Sequence, residues 1–119
     1  MEDFFELLAD LLKRNDAYDP WLDVIDTEEA LEALKSEISE LEISLSEGDK
    51  EGILEELGDV LWTLFITLSV AEREYNLKRL DVIKGLVGKI RKRKPYIFEG
   101  RKVDIEEAYR IWRNSKGER

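Results

Sequence analysis

Glu37 and Glu40 stand three positions apart, and so do Glu56 and Asp59 further along the chain. Residues at this spacing share one face of a helix, so each pair projects two carboxylates toward a common point. Two such helices laid antiparallel would gather four carboxylates into a cage suited to a hard divalent cation, Mg²⁺ with Mn²⁺ as a substitute. Histidine and cysteine are both absent. That excludes Ser-His-Asp and Cys-His catalysis, imidazole-ligated transition metals and zinc-thiolate sites. Any acid–base chemistry must therefore run on carboxylates, lysine, tyrosine or water bound to a metal. Taken by themselves, Glu37 and Glu40 read more readily as a solvated helix face than as ligands. Solvation accounts less well for Asp59, which shares a side with Trp62, Ile66 and Val70, because an unpartnered buried carboxylate is costly.

The elements that must carry these residues are legible in the apolar spacing. Phe4, Phe5, Leu7, Leu8, Leu11 and Leu12 predict a first helix over residues 2–15, followed by an Asp-rich loop from Asn15 to Asp26 around Asp19-Pro20. Asp26-Thr27-Glu28-Glu29 is a helix start, and Leu31, Leu34, Ile38, Leu41 and Leu45 carry that helix to about Ser46, where Gly48-Asp49 breaks it. A third helix is predicted from Lys50 to Tyr75. It is amphipathic at first, then free of charge and apolar on every side from Val60 to Ala71. A helix hydrophobic all round is covered all round, and a chain with four or five helices has few elements for that task. A homodimer, or a dimer of dimers, is the expected source of the missing cover. A fourth helix over 80–94 should stop before Pro95, with a loop to Val103 and a last helix from Asp104 to about Asn114, capped by Asp104 with Glu107. The predicted class is an all-α bundle of four to five helices. Its 119 residues are expected to form one domain: an N-terminal helix (1–18), core helices carrying the carboxylates (19–98) and a C-terminal helix (99–119).

The net charge of −9 hides a reversal: residues 1–59 carry −16 and residues 60–119 carry +7. Complementary helix surfaces would explain the split. It also fits an acidic half that binds cations beside a basic half that grips an anion, the two needs of a polyphosphate chelated to Mg²⁺. A sequence pI of about 4.7 argues against a nucleic-acid partner. The acidic start and the short apolar run, well under the roughly 20 residues a bilayer requires, predict a cytoplasmic chain that makes no use of a membrane.

Several blocks in order give the chain a family resemblance. Ser46-Glu47-Gly48-Asp49 leads into Glu55-Glu56-Leu57-Gly58-Asp59-Val60-Leu61, which resembles the E-E-L-G-D signature of the MazG-type nucleoside triphosphate pyrophosphohydrolases. The spacing back to Glu37-x-x-Glu40 is similar too, as are Lys89-Ile90-Arg91-Lys92-Arg93-Lys94-Pro95-Tyr96-Ile97-Phe98 and Trp112-x-x-x-Lys116. The resemblance spans residues 19–116. One departure stands out: Ser36 occupies the position where the family's first block usually has a glutamate, which leaves the branch, and so the substrate, open.

The resemblance implies hydrolysis of a (d)NTP between its α- and β-phosphates, giving the monophosphate and pyrophosphate. Glu37, Glu40, Glu56 and Asp59 would hold Mg²⁺, which neutralises phosphate charge and activates a water. Lys89 and Arg93, four apart on one helix, would clamp phosphate oxygens, although a basic run there also suits a helix C-terminus. Trp112 would contact the nucleotide, or else serve the core, with Lys116 one turn on reaching a phosphate. Trp21 is a weaker candidate for base stacking. Two alternatives remain at this point: a non-catalytic helical interaction module, and a phosphoribosyl-ATP-type pyrophosphohydrolase.

Overall fold

The computed structural model describes residues 2–117, and every regular element among them is helical. In chain order these are α1 (Phe4–Tyr18), a short 3-10 turn (Pro20–Asp23), α2 (Thr27–Glu47), α3 (Lys50–Tyr75), α4 (Arg79–Arg93), α5 (Pro95–Phe98) and α6 (Ile105–Gly117). The chain falls into two compact units, Met1–Leu77 and Lys78–Arg119.

The first unit is built on a helical hairpin. Asp26 starts α2 with a reciprocal capping box: its carboxylate accepts from the Glu29 N–H at 2.7 Å, and the Glu29 carboxylate accepts from the Asp26 N–H at 3.2 Å. At the other end Gly48 adopts φ 64°, a left-handed conformation that costs glycine little. The Asp49 N–H then bonds the Ser44 carbonyl at 3.1 Å, while its side chain caps α3 by accepting from the Gly52 N–H at 3.1 Å. Two residues thus reverse the chain, and α3 packs along the whole of α2. The far end of the hairpin is stapled by neighbouring residues of α3. The Arg73 guanidinium donates to the Leu22 and Ile25 carbonyls, and the Glu74 carboxylate accepts from both the N–H and the hydroxyl of Thr27.

Only Leu22, Ala30 and Val70 are buried apolar residues among those described. Along α3, Leu54, Leu57 and Leu64 remain 76%, 52% and 50% exposed, while Leu61 and Leu68 are half-buried. The apolar side of α1 is also open, with Phe4, Phe5, Leu7 and Leu11 all exposed.

Three sequence-based boundaries are corrected. The first helix continues past Asn15 to Tyr18 because the Asn15 carbonyl still accepts from the Asp19 N–H at 2.9 Å; Asp19 then turns extended ahead of Pro20. Residues 95–98, expected as loop, form the single turn α5. Lys94 leaves helical geometry (φ −138°, ψ 58°), as a residue before proline should, but Pro95 has the fixed φ of a first helical position and no N–H that needs a partner there. The last helix extends past Asn114 to Gly117. Its capping by Asp104 is as expected, with the Glu107 N–H donating to the Asp104 carboxylate at 2.8 Å. Within this second unit α4 touches both α5 and α6, yet Leu80, Val82, Ile83, Leu86 and Val87 of α4 stay exposed.

Candidate metal centre

The hairpin brings the two acidic motifs together. Glu37 on α2 and Glu56 and Asp59 on α3 each offer one carboxylate oxygen, and the three oxygens lie within 4.8 Å of one another. All three residues are half-buried. Antiparallel α2 and α3 pivot on Gly48-Asp49, so positions comparably far from the turn meet across the interface. Glu40, expected as a fourth ligand, is exposed on the next turn of α2 and lies outside this group.

The electrostatics of the group are unfavourable without a cation. Glu56 Oε2 is closed off from solvent and has no hydrogen-bond partner. Burial is the largest effect pushing the Glu56 carboxyl above its usual range; a hydrogen bond with Glu37 and the charges of Asp59, Glu37 and Glu40 push the same way. Three converging carboxylates with one orphaned oxygen are what a hard divalent cation, which takes oxygen ligands, would satisfy. The residues present fit Mg²⁺ on their chemistry.

Trp21 sits in the 3-10 turn and is exposed. It precedes α2, whose ten helical steps from Thr27 to Glu37 amount to about 15 Å. In the second unit, Lys89 is exposed and Arg93 half-buried near the C-terminus of α4. Lys116 folds back onto Trp112, with its Nζ 4.0 Å from the ring centroid, a cation–π contact. Beside Trp112 lies an open hollow of about 300 Å³ lined by Lys94, Tyr96, Ile105, Ala108 and Tyr109. Sequence reasoning missed Tyr96 and Tyr109 as its neighbours. The spacing of Tyr109 three residues before Trp112 was the available signal.

A family profile described as the MazG nucleotide pyrophosphohydrolase domain matches residues 26–98. The chain belongs to this family. A crystal structure of a mazG-related protein from Thermotoga maritima superposes with a TM-score of 0.83 at 35% identity, covering 94% of this chain and 98% of that one. The uncharacterized protein YabN of Bacillus subtilis (strain 168) is 33% identical over 102 residues, 82% of this chain. The chain spans only about a fifth of the length of YabN. The MazG match contains Glu37, Glu40, Glu56, Asp59, Lys89 and Arg93, whereas Trp21, Trp112 and Lys116 lie outside it. MazG-like architecture, all-α throughout the described residues, is thus established, and among those residues no helix is long and apolar enough to cross a membrane.

Proposed function

We propose that this MazG-family chain is a Mg²⁺-dependent nucleoside triphosphate pyrophosphohydrolase that cleaves the α–β phosphoanhydride of a (d)NTP to yield the (d)NMP and pyrophosphate. The observation that carries this reading is the convergence of Glu37, Glu56 and Asp59 around an orphaned buried oxygen, inside the segment that matches the family. A cation bound there would neutralise phosphate charge and act as the Lewis acid of the reaction. The chain's own contribution is to hold three oxygen ligands on two packed helices, which is a more rigid mount than a loop. Glu40, one turn from Glu37, adds negative charge to the group and serves as an outer ligand. Lys89 and Arg93 supply the phosphate grip, and Trp112 with Lys116 the contact to the nucleotide. We place all of these in a single cytoplasmic domain that functions as a homodimer.

Support for the dimer comes from Leu54, Leu57, Leu61, Leu64 and Leu68. They recur at alternating three- and four-residue steps, the spacing of a helix-packing seam. This seam lies on a different side of α3 from Glu56 and Asp59.

Release of pyrophosphate from a panel of NTPs and dNTPs, with and without Mg²⁺, tests the reaction. Mg²⁺-dependent release from at least one of them is expected. Absence of release from all of them at high protein concentration would favour a non-catalytic interaction module instead. Glu56→Ala and Asp59→Ala should each lower kcat/KM by more than about 100-fold, beyond the usual cost of losing a residue behind a metal ligand, with the helical circular dichroism retained. An active Glu56→Ala chain would mean that the cation is held elsewhere.

A further inference from the structure

Asp59 is tied into its helix by a side chain one turn away. Glu56, Asp59, Thr63, Thr67 and Val70 follow one another at three- and four-residue steps, so they share the side of α3 on which Val70 is fully buried. Thr63 is half-buried, and its hydroxyl donates to the Asp59 carbonyl at 2.8 Å, with the Val60 carbonyl 3.2 Å away. Thr67 repeats the arrangement one turn further on, donating to the Thr63 carbonyl at 2.8 Å.

In the uncharged stretch from Val60 to Ala71 a valine would have threonine's outline without a hydroxyl that must find a partner. What threonine adds is a second hydrogen bond to a carbonyl that the helix already uses. Such back-bonding tilts the carbonyl and bends the helix locally. At Thr63 the carbonyl affected is that of Asp59 itself.

We infer that Thr63 is a positioning residue: its hydroxyl, bonded to the Asp59 carbonyl, sets the backbone that aims the Asp59 carboxylate at Glu37 and Glu56. Thr63 touches neither cation nor substrate and acts only through Asp59. The inference rests on the metal-centre reading above. It extends that reading to the residue that fixes ligand geometry, in the way partners behind a ligand commonly do in metal sites.

Mn²⁺ binding to the full chain, followed calorimetrically and by the paramagnetic resonance signal of free Mn²⁺, provides the test without any need for turnover. Thr63→Val should bind Mn²⁺ several-fold more weakly, up to about 10-fold, the low end for groups behind a ligand because its bond is to the Asp59 backbone. Thr63→Ser should recover affinity close to that of the natural chain. Thr67→Val removes the same kind of bond one turn further from Asp59 and should leave Mn²⁺ affinity unchanged. A general effect of helix hydroxyls would weaken both valine variants alike, and that result overturns the inference, as does unaltered affinity in Thr63→Val. Should Thr63→Val not fold, Thr63→Ala against Thr63→Ser decides by the same criterion, and equal affinities overturn it. A natural chain that binds no Mn²⁺ overturns both this inference and the metal centre. Binding by the natural chain with no change at Thr63 overturns this inference alone.

Discussion

Glu56 and Glu74 are two carboxylates on one helix with opposite fates. Glu56 is pushed up by burial and by acidic neighbours. Glu74 is pulled down, first by the Thr27 hydroxyl, then by the Thr27 N–H and by the Arg73 charge. A depressed carboxyl contributes stability that is fully present above its unfolded-state value and is lost as pH falls through its folded-state value. Glu74→Gln should therefore lower the Tm near neutral pH, and the gap should close in acid, below the ordinary glutamate range. Thermal melts of the two chains across pH check this, and a gap that persists or widens in acid would contradict it. The meeting of Glu37 with Glu56 and Asp59 was legible from spacing, because the Gly48-Asp49 break turns two helices back on each other and sets the two acidic motifs at similar distances from the turn. Thr63 was not legible, because a threonine in an apolar helix reads as a small packing residue until its hydroxyl is seen on the Asp59 carbonyl.

At the level of elements, the two-residue turn decides how α2 and α3 meet. Gly52 lies where they approach closely: a Cβ there would stand 2.5 Å from Asp49 Oδ2 and 2.8 Å from the hydroxyl of buried Ser44. Alanine normally gains about 1 kcal/mol over glycine inside a helix. Here it would push the capping carboxylate off its site, a loss of about 1 kcal/mol, and crowd Ser44 at a further cost of about 1–3 kcal/mol. Gly52→Ala should thus destabilise by about 1–3 kcal/mol in chemical denaturation, and a more stable variant would mean that the two side chains move aside freely. The sequence displayed these helices through apolar periodicity and the Gly48-Asp49 break. It hid α5, since Pro95 reads as a stop for α4 and Tyr96-Ile97-Phe98 carry no period of their own.

Across the whole molecule, each of the two compact units keeps large apolar side chains exposed. In the first unit these are Leu54, Leu57 and Leu64 of α3 with Phe4, Phe5, Leu7 and Leu11 of α1, and contiguous exposed apolar residues of this kind mark interaction surfaces. Light scattering after size exclusion should report a dimer or a multiple of it. Leu57→Glu and Leu64→Glu place charges in the α3 seam and should shift the chain toward monomer, with most of its pyrophosphohydrolase activity lost if the proposed dimer is the working form. A monomeric natural chain would remove the dimer from the proposal and leave the metal centre intact. The proposed burial against another molecule is the part a single sequence expresses least directly. It is written only as an excess of hydrophobic positions, such as Leu54 and Leu64, over the elements available to cover them.

The carboxylates are supplied by the two arms of one hairpin, with Glu37 and Glu56 only nineteen positions apart. Bringing them together closes a short, already structured segment, so little chain entropy opposes it. Chains rich in contacts this local fold fast. Such a hairpin is a portable unit. Lengthening the chain outside α2 and α3 leaves that nineteen-residue separation unchanged.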